Sequence, residues 1–173
     1  MHRIGFYGPT YSGKTALIER LAFPGMPHKN SPPIQCEIPT ETRVDDIVFV
    51  EYPEGVLPIK EDGCTCYVIM TTRNEALWKD YIDAANTFLQ PGEYVTVSTC
   101  MDTAKGQDRA THAPMGTFKL SIYKQVQCIS LFKRVTLSSE ERIKRYANAI
   151  KSEAKGPAKK TKKVCDEDGW IKV

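Results

Sequence analysis

No run of apolar residues in this chain approaches the roughly 18 consecutive positions that a membrane-spanning helix needs. The N-terminus shows no charged-then-apolar leader, so secretion is not expected and a cytoplasmic or nuclear location is. Cysteine occurs six times, at Cys36, Cys64, Cys66, Cys100, Cys128 and Cys165, but never in the paired spacing of a structural zinc site. Cys64 and Cys66 form a lone C-x-C with no second pair beside it, which leaves reduced, buried thiols as the expectation. No segment repeats at a period of about 20–50 residues, which excludes solenoids and propellers. An excess of basic charge is also missing from most of the chain. The net charge is +3, yet from Lys155 onward six lysines face three acids, so residues 1–154 hold 18 basic and 18 acidic residues. That balance argues against a nucleic-acid-binding face on the domain. What remains is a chain of 173 residues, 41% hydrophobic and 26% charged, with the makeup of one globular domain over 1–154 and a Lys-rich, flexible tail over 155–173.

The informative stretch is Gly8-Pro9-Thr10-Tyr11-Ser12-Gly13-Lys14-Thr15, which matches G-x-x-x-x-G-K-[ST], the phosphate-cradling P-loop. Ile4 to Tyr7 before it reads as a short buried strand. Residues 16–22 after it, beginning with Ala16, read as an amphipathic helix. Strand, loop and helix in that order are the context the motif requires. Its glycines let the backbone curl so that several N–H groups converge on one anion, and the helix N-terminus adds its dipole there. Lys14 would reach the β- and γ-phosphates, and the Thr15 hydroxyl would ligate magnesium.

Further along, four prolines and Gly25 make residues 24–33 a loop. Residues 34–38 and 44–51 read as two strands of an antiparallel hairpin turning near residues 39–42, the second ending in Glu51. Residues 52–63 read as loop and 67–70 as a buried strand. Asn74 is a good N-cap for a helix carrying Trp78, Ile82, Ala85 and Leu89 on one face, stopped by Pro91-Gly92. Residues 94–98 form a fifth strand, followed by a long loop over 103–116 and a short helix near 118–123. Residues 126–131 read as a sixth strand. Ser138-x-x-Glu141 is a capping box for a final helix with Ile143, Tyr146, Ala147 and Ile150 inward. Alternating strands and helices predict a three-layer α/β sandwich of the P-loop NTPase kind, its six-stranded sheet mostly parallel with one antiparallel hairpin strand. In such sheets ligands sit at the carboxyl ends of strands, where the P-loop, Glu51, Thr99 to Asp102 and Ser130 all fall.

With these features in place, the chain resembles the Ras-like small GTPases over roughly residues 3–150. The P-loop, the Pro-rich loop in the place of the first switch, and the hairpin strand ending in an acid match in order. Thr99-Cys100-Met101-Asp102 stands in the place of the family's N-K-x-D guanine signature, and Ser130-Leu131 in the place of Ser-Ala-Lys. The resemblance implies GTP or GDP as ligand, with Mg2+. The nucleotide would then be held by Gly8, Thr10, Tyr11, Ser12, Gly13, Lys14, Thr15, Ala16, Thr99, Asp102 and Ser130. Thr15, Glu51 and Ser31 would hold the metal, and Lys14 and Glu51 would carry the chemistry. Asp102 has two readings, a carboxylate accepting the N1–H and N2–H2 of guanine or a residue capping a turn. Ser31 is either the first-switch hydroxyl or a solvated loop serine. Thr40 and Thr42 read as too far round the hairpin to serve.

The departures from the pattern bear on catalysis. Gly55 falls one residue late for D-x-x-G, and Val56 follows where a water-orienting Gln would stand, so slow GTP hydrolysis is expected. The 52–63 stretch is short for a second-switch helix. An effector protein would meet the 24–33 and 52–63 loops. Two other functions compete: a small nucleotide or nucleoside kinase, with Asp108-Arg109 supplying a lid arginine, and a non-catalytic scaffold that keeps the fold alone. The run Lys159-Lys160-Thr161-Lys162-Lys163 suits an anionic membrane surface, import machinery or a merely solubilising terminus. Cys165 lies too far from the end for a prenylation box.

Overall fold

The computed structural model describes residues 2–26, 37–99, 101–102, 107–108 and 113–155, with the backbone alone at 61, 101–102, 107–108 and 152–155. The Lys-rich run, Ser31 and most of the 24–33 loop lie outside the described residues. The main sheet has six strands in the order β2-β3-β1-β4-β5-β8. They are β1 (His2–Tyr7), β2 (Thr40–Val44), β3 (Ile47–Glu51), β4 (Cys66–Thr71), β5 (Tyr94–Ser98) and β8 (Phe118–Lys119). All neighbours run parallel except β2 and β3. The two-residue strands β6 (Met101–Asp102) and β7 (Gln107–Asp108) pair with each other outside it.

The central strands are apolar on both sides because helices cover both faces. Ile4, Phe6, Phe49, Val68, Met70 and Val97 pack against α1 (Lys14–Ala22), α3 (Cys128–Thr136) and α4 (Glu140–Lys155). Alternate positions Tyr7, Val48, Val50, Tyr67 and Ile69 face α2 (Glu75–Phe88), which contributes Trp78, Tyr81 and Ala85. These are the three layers expected. Fully buried side chains of this size stabilise the fold by about 1.5–3 kcal/mol each before the entropy cost of ordering them. Asn74 caps α2 as its sequence position predicts, its side chain accepting the Ala76 N–H at 3.1 Å.

A tyrosine layer lies on the α2 face. Tyr52 stacks on Tyr7 at 4.5 Å with an interplanar angle of 9°. Gly5 makes the room: a Cβ there would lie 2.8 Å from both the Tyr7 ring and the Cys64 sulfur. The Tyr7 hydroxyl donates to Asp62 at 2.5 Å, and burial followed by this bond pushes the phenol above its usual range. The 52–64 connection, which contains only a single 3-10 turn (Lys60–Asp62) and no second-switch helix, is thereby tied down onto β1.

Four local expectations are corrected. The hairpin turns at Asp45-Asp46, with Asp45 at φ 54°, and the 39–42 stretch is mostly strand; a left-handed Asp is a turn device the sequence reading passed over. Residues 118–119 form strand β8 where a short helix was expected. Residues 126–131 are not a strand. They lead into α3, where Cys128, Leu131, Phe132 and Val135 recur at helical spacing that a six-residue window cannot show. Finally, Ser139 rather than Ser138 caps α4: its hydroxyl accepts the Arg142 N–H at 3.3 Å, while Ser138 shares a 2.6 Å bond with Thr136.

The helical assignment of α3 separates two neighbouring substitutions. Leu131→Ala, at a fully buried position, should cost about 2–5 kcal/mol in urea unfolding. Ser130→Ala, at an exposed position one residue earlier, should stay within about 0.5 kcal/mol.

Candidate functional site

The loop between β1 and α1 is shaped by two close approaches. A Cβ on Gly8 would sit 2.9 Å from Met70 Cβ, and one on Gly13 would sit 2.6 Å from Thr99 Oγ1. Gly13 also has φ 94°, a conformation that side chains other than glycine adopt at a cost. Tyr11 adopts φ 67° and is 77% exposed, so it faces solvent. Thr99, just past β5, donates its hydroxyl to Ser12 O at 3.1 Å and so buttresses the loop from the next layer of strand ends. The first helical bond of α1 runs from Leu17 N–H to Gly13 O at 2.9 Å. The N–H groups of Lys14, Thr15 and Ala16 precede it, at the end of a helix that attracts anions.

Lys14 is almost wholly buried, 6% exposed, and its ammonium donates to Gly8 O at 2.7 Å and Pro9 O at 3.0 Å. Its charge is thus held inside the curl of the loop. Thr15 donates its hydroxyl to Glu51 Oε1 at 2.7 Å, joining the first turn of α1 to the last residue of β3. Glu54 closes the other side. Its Oε1 accepts the Thr10 N–H at 2.9 Å and the Thr10 hydroxyl in a second, short bond. The Thr10 hydroxyl and N–H, with the Lys14 charge nearby, hold the Glu54 carboxyl below the usual carboxylate range. Folding therefore gains from ionised Glu54 above its unfolded pKa, and that gain fades as pH falls through the lowered value.

The structure thus brings together the loop residues, Thr99 and Glu51. Asp102 is placed by its backbone in β6, opposite Gln107. Ser130 does not end a strand: it lies in α3, and the position after β8 is held by Leu120 and Ser121. Ser121 is buried; its N–H is bonded to Gln127 at 2.7 Å and its hydroxyl accepts the Tyr123 N–H. Thr40 is nearer than the hairpin reading allowed, since it lies opposite Glu51 in register. Its hydroxyl bonds to Ile38 O at 3.4 Å. Glu54 and Ser121 were missed. A glutamate three residues after a strand-ending acid carries no motif, and β8 is too short to announce itself.

Within the main sheet, the strand order, the one antiparallel pair β2–β3 and the loop after β1 give the three-layer α/β architecture of the P-loop kind that the sequence predicts. No protein-family model matches the chain, and no curated protein sequence does either. A solved structure described as the T. brucei IFT22 GDP-bound crystal structure is similar to it at 12% identity and a TM-score of 0.48, over 92% of this chain and 99% of that one. The residues present fit a phosphate group and a hard cation. Gly8 and Gly13 let the loop pack directly against Met70 and Thr99, and the buried Ser12 hydroxyl has no hydrogen-bond partner among the described residues. Thr15 and Glu51 offer hydroxyl and carboxylate oxygens, the donor type magnesium takes alongside phosphate oxygens and water. Among the described residues there is no cluster of three metal-ligating side chains. A cation here would share its coordination with a ligand.

Gly13→Ala and Gly55→Ala both place alanine at positive φ, but only the first meets a neighbour, since nothing lies within 4 Å of a Cβ at Gly55. Gly55→Ala should cost about 1–2 kcal/mol and Gly13→Ala clearly more, read as a larger fall in Tm.

Proposed function

We propose that this protein binds a guanine nucleotide with magnesium and hydrolyses GTP slowly. The observation that carries the reading is the pairing of Thr15 with Glu51 beside a loop that already encloses the Lys14 ammonium. Two oxygen donors and one cation then stand at the carboxyl ends of β1 and β3, as a nucleotide's phosphates and their metal require. Magnesium, when bound, would neutralise phosphate charge. The chain's own part is to hold and orient: loop N–H groups and Lys14 bind the phosphates, while Thr15 and Glu51 hold the cation. Asp102, shortly after β5, supports guanine over adenine because a carboxylate there can accept paired donors that adenine lacks.

Slow turnover follows from what stands beyond Glu51. Gly55 and Val56 offer no side-chain amide to orient an attacking water. The Gly55 N–H is itself taken up by the Tyr81 hydroxyl at 2.7 Å. The described part of the effector-facing surface, 52–63, is anchored by the tyrosine layer, which favours a binding platform over a segment that refolds with each cycle.

The test is calorimetric and kinetic. Lys14→Ala should weaken nucleotide binding about 100-fold, the loss expected for one or two charge-assisted bonds of about 1.5–3 kcal/mol each. Single-turnover phosphate release from the wild type should stay near the unassisted rate of about 10⁻⁴ to 10⁻³ per second. Release at several per second would overturn the slow-turnover reading. If Lys14→Ala binds as tightly as the wild type, the loop is not the site.

A further inference from the structure

The contact between Glu54 and Thr10 is an anion already seated in a phosphate-binding loop. Pro9 has no N–H, so the Thr10 N–H is the first donor the loop offers after Gly8, and the Glu54 carboxylate takes both it and the Thr10 hydroxyl. The end of the loop at which this happens is set by the geometry. Thr15 and Glu51 would hold the cation, which would neutralise phosphate charge at the α1 side of the loop. Glu54 follows Glu51 by three residues and bonds at Thr10, the end of the loop farther along the chain from α1. The α- and β-phosphates would lie toward the helix N-terminus, which leaves the terminal phosphate on the Thr10 side.

Glu54 is exposed, but the backbone that carries it is held on both sides. Tyr52, two residues before it, is stacked on Tyr7, and its N–H bonds to Phe6 O at 3.0 Å. Gly55, directly after it, is fixed through its N–H to Tyr81. The backbone on both sides is therefore fastened to β1 and α2.

We propose that the Glu54 carboxylate occupies the place of a terminal phosphate, so that the site accepts a nucleoside diphosphate and discriminates against the triphosphate. This deepens the nucleotide-binding reading above and rests on it. A diphosphate leaves the Glu54–Thr10 bonds intact. A triphosphate must break both and bring its most highly charged group against a carboxylate. The latch makes the diphosphate form the resting state by electrostatic occupancy, independently of any hydrolysis rate.

The experiment is isothermal titration of the full chain with GDP and with a non-hydrolysable GTP analogue in excess Mg2+, for the wild type, Glu54→Gln and Glu54→Ala. The wild type should prefer GDP by about tenfold or more, the scale of one lost charge-assisted bond. Glu54→Ala should erase most of that preference by tightening the triphosphate analogue, with GDP affinity moving less than about threefold. Glu54→Gln, which keeps an acceptor but removes the charge, should fall between them. A ratio of the two affinities that is the same in all three proteins overturns the latch, as does an equal shift for both ligands. Failure of the wild type to bind GDP at all overturns the latch together with the nucleotide-binding reading, and so is distinguishable from failure of the latch alone.

Discussion

Parallel pairing of β1 with β3 sets Phe6 level with Glu51, and the site depends on that register. Phe6 points toward α1, so Glu51 does too, and there its carboxylate meets Thr15. A slip of one residue would turn Glu51 to the α2 face, among tyrosines, and separate it from the loop. The register is secured by burial, since Ile47 and Phe49 belong to one core and Val48 and Val50 to the other. No residue of the site itself has to supply that specificity. The hydrophobic alternation of two strands decides where one carboxylate goes.

The two cores have different jobs at their carboxyl ends. The α1 side delivers the charged groups Lys14 and Glu51. The α2 side delivers rigidity, through the Tyr7–Tyr52 stack and the Tyr81 bond to Gly55, and fixes the backbone on either side of Glu54. Gly5 makes that rigidity possible, because the space its missing side chain leaves allows the rings to stack so close to β1. A residue with no side chain thereby helps to set where the Glu54 carboxylate stands.

Much of this was legible from residues. The P-loop, the Asn74 cap and the buried runs of β1, β3, β4 and β5 are local signals, each carried by a few adjacent side chains. What was not legible depended on longer windows or on shape. The apolar positions of α3 spread over eight residues and look like a strand when cut at Leu131. Strand β8 is held by pairing with Val97 and Ser98, not by its own two residues, so no propensity could reveal it. Ser130 was assigned through that error, whereas Glu51 does end β3 and Thr99 does follow β5. The Glu54 contact was invisible because it is made across 44 residues by a side chain with no motif.

The sheet's two margins also bear on how the molecule behaves in company. Strand β2, at one end of the order, exposes Glu41 and Arg43, with Glu41 bridging to Arg3 and Arg43. Strand β8, at the other, is only two residues long. A neighbouring chain seeking to add a strand meets fixed charges at one border and almost no template at the other. The same sheet that stacks four apolar strands at its centre therefore offers a poor template for edge-to-edge pairing at its two described margins.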